Sequence, residues 1–178
     1  MLELVLGGAR SGKSGYAQDC AIDNKQPILL IATATADDEE MQQRIKLHQQ
    51  TRPSDIAVIE EPLQLSNTLQ AHCNTEKTII VDCLTLWLSN LLLQDETDLE
   101  NSFEYKALIN NLELLSQAKA NIYLVSNEVG MGIIPLGKLN RIYCDAVGHL
   151  HQAIAKHAQR VTLMVAGLAH SIKNESMC

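Results

Sequence analysis

The sequence predicts an α/β fold, in which a mostly parallel sheet carries helices on both faces. Strand-like and helical segments alternate along the chain, and this alternation is typical of a sheet built from β–α units. Some strand segments are continuous apolar runs, such as Ile28–Ala32 and Ile79–Val81, and such runs suit strands that are buried on both faces. The first strand, in addition, leads into a glycine-rich turn that opens a helix.

Length and composition agree with a single domain over residues 1–178. Apolar residues make up 46% of the chain and aromatic residues only 3%, so we expect a core of leucine, isoleucine, valine and alanine. The net charge of −7 argues against a nucleic-acid partner and against a membrane-surface role, because phosphate contacts need clustered lysine and arginine.

The remaining composition favours a cytoplasmic protein. No apolar run reaches the length of a membrane span, and the apolar segment Leu2–Leu6 is too short for a signal peptide. The five cysteines are scattered without a Cys-x-x-Cys pair, so the sequence suggests neither a zinc site nor a disulfide framework.

The elements can be delimited along the chain from the spacing of the apolar residues. Strands are predicted over Leu2–Leu6, Ile28–Ala32, Ile56–Ile59, Thr78–Asp82, Asn121–Ser126 and Val161–Val165. Helices are predicted over Ser14–Asp23, from Asp37 to about His48 or Gln50, and over Leu63–Cys73, Leu84–Leu93, Ser102–Ala118 and Leu139–His157.

Local signals set the ends of several elements. The acidic stretch Asp37–Glu40 lies at the start of a predicted helix, where the positive end of the helix dipole favours negative charge. Arg52-Pro53 ends that helix, because the residue before a proline avoids the helical conformation. Asn127–Pro135 contains glycines and has no helical period, which indicates a loop. Gly167 ends the last predicted strand, and the tail beyond it is polar and expected to be partly disordered.

The turn after the first strand matches the phosphate-binding pattern Gly-x-x-x-x-Gly-Lys-Ser in full. Its glycines allow backbone N–H groups to surround phosphate oxygens, and the helix that follows adds its positive end. Lys13 is expected to reach the β- and γ-phosphates, and Ser14 to ligate Mg²⁺. The sequence therefore predicts a P-loop NTPase fold of the RecA-like type. The predicted nucleotide-binding residues of this turn are Gly7, Gly8, Ala9, Arg10, Ser11, Gly12, Lys13 and Ser14.

Polar residues at the predicted carboxyl ends of other strands should collect at the same edge. Asp82 matches a Walker-B acid, held near Mg²⁺ directly or through water, and its alternative role is to cap the helix that follows. Glu60 is either a ligand contact or a solvated loop acid. Thr33 and the pair Asn127-Glu128 lie at the same edge.

His48 falls on the helical face of Met41 and Ile45. One interpretation is a partly buried histidine near the end of a helix. The other is a nucleophile, because a largely neutral imidazole beside a triphosphate can attack phosphorus. Attack on the α-phosphate would expel pyrophosphate and leave a nucleotide linked to the histidine.

Other polar and aromatic residues are given less specific roles. Trp87 is assigned to the core, and Arg10 contacts either a phosphate or a neighbouring subunit. His149 and His151 are two residues apart on a predicted helix and so face apart. None of the following histidines shows ligand spacing with an acidic partner, and all are interpreted as structural or surface residues: His72, His149, His151, His157 and His170.

Several blocks of the sequence, in order, resemble the adenosylcobinamide kinase / adenosylcobinamide-phosphate guanylyltransferase family. The blocks are Gly7–Ser14, Ile31–Ala34 with Asp38–Met41, Arg44–His48 with Arg52-Pro53 and Glu60–Pro62, Val81–Leu92, and Asn127–Pro135. The phosphate loop alone is unspecific, whereas its combination with the histidine block and Asn-Glu-Val-Gly is specific.

The resemblance implies a bifunctional enzyme of cobalamin biosynthesis. One activity phosphorylates the aminopropanol hydroxyl of adenosylcobinamide with ATP or GTP. The other transfers GMP from GTP to that phosphate, which gives adenosylcobinamide-GDP and pyrophosphate. The implied partner is thus a corrinoid small molecule, and similar proteins form homotrimers.

The resemblance also implies site residues. His48 aligns with the family histidine that carries GMP covalently. Beyond the phosphate loop, the implied nucleotide contacts are Ala32, Thr33, Ala34, Gln49, Gln50, Thr51, Arg52, Glu60 and Asp82, and the implied Mg²⁺ ligands are Ser14 and Asp82.

Two other hypotheses use the same motifs. A plain small-molecule kinase would have a structural His48 and form no covalent nucleotide. A RecA-like nucleotide switch would bind a partner protein or nucleic acid. The net negative charge of the chain argues against a nucleic-acid partner.

Overall fold

The computed structural model describes residues 1–35, 56–94 and 98–175 of the chain. The strands are β1 (Leu2–Gly7), β2 (Ile28–Ala32), β3 (Ile56–Glu60), β4 (Thr78–Asp82), β5 (Asn121–Asn127), β6 (Arg160–Val165) and β7 (Leu168–Asn174). The helices are α1 (Lys13–Asp23), α2 (Leu65–His72), α3 (Leu84–Gln94), α4 (Phe103–Ser116) and α5 (Lys138–His157), with a 3₁₀ turn at Leu99–Asn101. The predicted helix that starts at Asp37 lies outside the described residues.

The described strands form one sheet in the order β3-β2-β4-β5-β1-β6-β7. The first six of these strands are parallel to their neighbours, and β7 is antiparallel to β6. The predicted mostly parallel sheet is therefore confirmed. Parallel pairing brings the carboxyl ends of β4, β5 and β1 to the same edge, side by side.

Helices cover both faces of the sheet, as the sequence predicts. Successive side chains of a strand point to opposite faces, so Leu4 and Val5 of β1 join different apolar clusters. Val5 packs with Ala17 and Ala21 of α1, whereas Leu4 belongs to the larger cluster formed with α2, α3, α4 and α5. Trp87 of α3 is fully buried in that larger cluster, which confirms its assignment to the core.

The tail was expected to follow the last strand as a polar, partly disordered segment, and for residues 168–174 the expected disorder is wrong. Residues 168–174 form β7, which pairs with β6 through a tight turn at Ala166 and Gly167. Both turn residues have positive φ, 51° and 81°, as tight hairpin turns require. Most β7 side chains are exposed, so the strand carries no apolar pattern that would reveal it, and backbone hydrogen bonds hold it.

A buried carboxylate ties α1 to the sheet. Glu3 is fully buried on β1, and its Oε1 accepts hydrogen bonds from Tyr16 of α1 at 2.9 Å and from Thr162 of β6 at 2.7 Å. The guanidinium of Arg160 lies 3.4 Å from the second carboxylate oxygen. Because Tyr16 follows the phosphate loop directly, these bonds set the position of the helix that the loop opens.

None of the helices in the described part of the chain is both long and apolar enough to cross a membrane.

The packing of α4 gives a stability prediction. Leu112 is completely buried, whereas Leu114, two residues further on, is 47% exposed. We expect Leu112→Ala to lower the free energy of unfolding by about 2–5 kcal/mol, because it leaves a cavity. Leu114→Ala should change it by no more than about 0.5 kcal/mol. Urea denaturation measures both values, and equal losses in the two variants would contradict this packing.

Candidate nucleotide-binding site

The phosphate loop joins the end of β1 to the start of α1. Gly12, the residue before α1, has a φ of 99°, a conformation that glycine adopts without steric cost. At Gly7, a Cβ atom would lie 2.5 Å from both the carbonyl oxygen of Met164 and the Oγ of Ser11. A side chain at that position would therefore force the loop to move. Gly8, Ala9 and Arg10 are exposed on the outside of the turn.

Lys13 is held over this loop. Its side chain is almost fully buried, and Nζ donates a hydrogen bond of 2.6 Å to the carbonyl oxygen of Gly8. Burial lowers the pKa of Lys13, and the neighbouring Cys83 and Asp82 oppose that shift. The phosphate-loop lysine and the acid at the end of β4 thus lie close enough to interact electrostatically. Ser14 follows Lys13 and is partly buried.

Asp82 ends β4, and the structure holds this end through Thr33. The buried Thr33 hydroxyl donates to the Cys83 carbonyl at 2.7 Å and accepts from the Cys83 N–H at 2.9 Å. Its backbone N–H donates to the carbonyl oxygen of Asp82 at 3.2 Å. The Thr33 side chain is thus engaged in positioning Asp82, and Asn90 donates to the Thr33 carbonyl at 2.8 Å. Within the described residues, the Asp82 carboxylate makes no hydrogen bond to α3, which leaves the helix-cap alternative without support.

Asn127 and Glu128 stand between Asp82 and the phosphate loop. Strand β5 pairs with β4 on one side and with β1 on the other. The backbone N–H of Glu128 donates to the carbonyl oxygen of Gly7 at 3.0 Å, so Glu128 directly adjoins the first residue of the phosphate loop. The Asn127 amide donates to Thr85 at 3.1 Å. The sequence places this pair at the ligand edge but gives no indication of the contacts of Glu128.

A buried histidine faces the Glu128 carboxylate. His151 of α5 lies with Nδ1 3.8 Å from Oε2 of Glu128, and its Nε2 is 2.7 Å from the hydroxyl of Ser126. Burial lowers the pKa of His151, and the negative charge of Glu128 opposes that shift. The ring is therefore mainly neutral at pH 7. The burial of His151 agrees with its interpretation as a structural residue, and residue spacing does not reveal its pairing with Glu128.

His149, by contrast, points outward. Its Nδ1 lies 2.9 Å from Oε1 of Glu100, and its side chain is 60% exposed. The expectation that His149 and His151 face apart is confirmed. Their acidic partners come from distant parts of the chain, which residue spacing within one helix does not reveal.

Glu60 lies at the far side of the same edge. It ends β3, the outermost described strand beyond β2, and it is exposed. Four strand spacings separate β3 from β1, or roughly 19 Å at about 4.8 Å each. Glu60 is therefore well separated from Lys13 and the phosphate loop.

The other predicted site residues have mixed placements. Ala32, Thr33 and Ala34 lie at the carboxyl end of β2, beside Asp82. His48 and the predicted contacts Gln49, Gln50, Thr51 and Arg52 lie outside the described residues and stay predictions.

The loop between β5 and α5 confirms the prediction of a segment without helical period. Residues 128–137 contain no helix or strand, and the loop exposes several large apolar side chains. These are Met131, Ile133, Ile134 and Leu136. An apolar surface thus lies beyond Glu128 at the same end of the sheet.

The described residues contain no cluster of three or more histidine, cysteine, aspartate or glutamate side chains that could hold a metal ion by themselves. Mg²⁺ does not require such a cluster, since it commonly uses one or two protein oxygens together with phosphates and water. The Ser14 hydroxyl and the Asp82 carboxylate are oxygen donors of this kind, so the donor set fits a magnesium ion carried by a nucleotide.

The fold and the loop define a P-loop NTPase. Among solved structures, the chain is similar to the P4 protein from bacteriophage phi6 in complex with ADP, with a TM-score of 0.51 and 14% identity. That likeness covers 95% of this chain and 53% of the P4 chain, and at this identity it shows the fold alone.

The family model described as cobinamide kinase / cobinamide phosphate guanyltransferase matches residues 3–172. The chain is 47% identical over 177 residues to the bifunctional adenosylcobalamin biosynthesis protein CobP of Pseudomonas aeruginosa, covering 99% of this chain and 100% of that relative. It is 36% identical over 182 residues to the bifunctional adenosylcobalamin biosynthesis protein CobU of Escherichia coli, with coverages of 97% and 100%. The chain belongs to this bifunctional enzyme family, as the resemblance indicated.

The close contacts of Gly7 give a prediction for nucleotide binding. We expect Gly7→Ala to weaken the binding of GTP by about tenfold or more, the equivalent of about 1.4 kcal/mol, because the new methyl group displaces the loop. Gly15→Ala in α1 meets no atom within 4 Å and should leave affinity unchanged. Calorimetric titration with GTP and Mg²⁺ measures both. Equal affinities in the two variants would show that the loop tolerates a side chain at Gly7.

The buried His151 predicts a pH-dependent stability. Burial lowers the pKa of His151 below the ordinary 6.5. Below pH 6.5 the His151 ring therefore binds a proton more readily in the unfolded chain than in the folded chain. Stability is therefore present above pH 6.5 and is lost as the pH falls towards the folded-state pKa. We expect His151→Gln to flatten this dependence of the urea midpoint, while the matched surface variant His149→Gln keeps it. Identical slopes in all three proteins would refute the assignment.

Proposed function

We propose that this protein performs two successive transfers on a corrinoid. It phosphorylates the aminopropanol hydroxyl of adenosylcobinamide with ATP or GTP. It then transfers GMP from GTP to the new phosphate, giving adenosylcobinamide-GDP and pyrophosphate. The observation that carries this proposal is membership of the family over residues 3–172, together with a phosphate loop next to Asp82.

In this proposal both reactions use one polyphosphate site. Backbone N–H groups of Gly7–Ser14 hold phosphate oxygens, and the positive end of α1 favours their negative charge. When a nucleotide binds, the ammonium group of Lys13 gives up its hydrogen bond to the Gly8 carbonyl and binds a phosphate oxygen instead. There it stabilises the negative charge that develops on the transferred phosphoryl group. Mg²⁺, bound by Ser14 and by Asp82 directly or through water, would neutralise the same phosphates.

The nucleoside is proposed to lie across the ends of β2 and β3. Ala32, Ala34 and Glu60 line that part of the edge, and the buried Thr33, also among the proposed contacts, lies between the two alanines. Gln49, Gln50, Thr51 and Arg52 are proposed to complete the nucleotide contacts. His48 lies in the part of the chain that connects β2 to β3.

His48 is proposed as the nucleophile of the second reaction only. A neutral imidazole nitrogen attacks the α-phosphorus of GTP, and the bond to pyrophosphate breaks. The phosphate oxygen of the corrinoid then attacks the same phosphorus and releases His48. We further propose that the enzyme is a cytoplasmic homotrimer, as its resemblance to the family implies.

The guanylyl-histidine gives the decisive test. After incubation with Mg²⁺ and GTP labelled in the α-phosphate, we expect label on the denatured protein that is acid-labile and alkali-stable, as a phosphoramidate should be. His48→Ala should lose this label and keep phosphorylation of adenosylcobinamide, whereas the exposed control His149→Ala should keep both.

Two results would contradict the proposal. Phosphorylation without any covalent label in the unchanged protein would leave a simple kinase with a structural His48. Loss of both activities in a folded His48→Ala protein would refute the division between the two reactions.

A further inference from the structure

The first of the two proposed reactions needs a proton acceptor. An alcohol loses its proton as its oxygen attacks the γ-phosphorus, and a positioned carboxylate can take that proton. Among the described residues, the carboxylates that end a parallel strand or directly follow its carboxyl end are Glu60, Glu61, Asp82 and Glu128. Asp82 is assigned to the metal, and Glu60 and Glu61 lie at the end of β3, four strands from β1.

Glu128 is the carboxylate of this set that directly adjoins the phosphate loop. Its strand is the direct neighbour of β1, and its N–H is bonded to Gly7 at 3.0 Å. It therefore adjoins the phosphate loop on the side that faces Asp82. Its side chain is 18% exposed, so it is shielded from bulk water but still open to a substrate.

The Glu128 carboxylate is oriented without being neutralised. Oε1 accepts a hydrogen bond from the N–H of Gly130, and Oε2 faces the His151 ring at 3.8 Å. His151 is itself fixed by the Ser126 hydroxyl at 2.7 Å. In the described part of the chain, no lysine or arginine forms an ion pair with Glu128. The oxygens thus have a fixed direction and keep the capacity to accept a proton.

We propose that Glu128 is the general base of the phosphorylation step, with His151 as a positioning residue. As the substrate oxygen forms its bond to the γ-phosphorus, its proton passes to the Glu128 carboxylate. The bond between the γ-phosphorus and the β–γ bridging oxygen breaks, and the nucleoside diphosphate leaves with that electron pair. Glu128 returns the proton to water after the products depart. This inference rests on the proposed function.

The same base is not needed for guanylyl transfer. The nucleophile that attacks the guanylyl-histidine is a phosphate oxygen, which already carries negative charge. A variant that lacks only the base should therefore lose phosphorylation and keep guanylyl transfer. His48→Ala is expected to do the reverse.

The test measures both activities in Glu128→Gln. We expect kcat for phosphorylation of adenosylcobinamide to fall about 100-fold or more, with little change in KM for the nucleotide. Guanylylation of the protein and GMP transfer to supplied adenosylcobinamide-phosphate should stay at wild-type rates, which also shows that the variant is folded. Glu113→Gln, the same change at an exposed position of α4, should alter neither activity.

His151 is tested by the same separation. His151→Gln should lower kcat for phosphorylation by less than Glu128→Gln does, leave KM unchanged and spare guanylylation. His149→Gln, on the exposed face of the same helix, should match the wild type. An equal loss of both activities in folded His151→Gln would indicate a merely structural role and overturn the positioning assignment.

The outcomes separate the inference from the proposed function. Wild-type phosphorylation by Glu128→Gln would overturn the inference alone, and so would a parallel loss of both activities. No phosphorylation of adenosylcobinamide by the unchanged protein would overturn the proposed function, and the inference with it.

Discussion

The parallel pairing of β5 with both β1 and β4 is the constraint on which the site depends. Parallel strands end at the same edge of the sheet. Gly7 pairs with Asn127 at the end of β5, and Asp82 pairs with Val125, two residues before that end. Gly7, Asp82 and Asn127 end these strands, so the start of the phosphate loop, an acid suited to Mg²⁺ and the polar pair at the end of β5 lie on neighbouring strands. Residues from well-separated parts of the chain become neighbours because of strand order alone.

The phosphate loop is held from both sides. At its start, Gly7 leaves no space for a side chain against Met164 and Ser11. Beyond its end, Tyr16 is bonded to the buried Glu3. A buried carboxylate is costly unless hydrogen bonds or an ion pair compensate it. Tyr16 and Thr162 donate hydrogen bonds to one oxygen of Glu3, and Arg160 lies 3.4 Å from the other, which accepts no hydrogen bond from the described residues. This arrangement gives α1 a fixed position relative to the sheet. The end of the phosphate loop is fixed with it, because the loop continues directly into α1.

The edge of the sheet offers different chemistry along its length. Lys13 and Asp82 form the part suited to phosphates, and the exposed Glu60 stands at the distant end of the edge, on β3. Glu128 stands on the other side of Asp82, next to exposed apolar side chains of the following loop.

The sequence by itself determined the sheet class, the strands with buried apolar runs, the phosphate loop and the family, because these depend on local patterns or on ordered blocks of residues. Only the tertiary structure decided the rest. Strand β7 has exposed side chains and hence no apolar period, so its pairing with β6 was not visible. Thr33 holds the end of β4, and His151 meets Glu128, through contacts between residues far apart in the chain. No spacing rule records such contacts, because packing of the sheet and helices creates them.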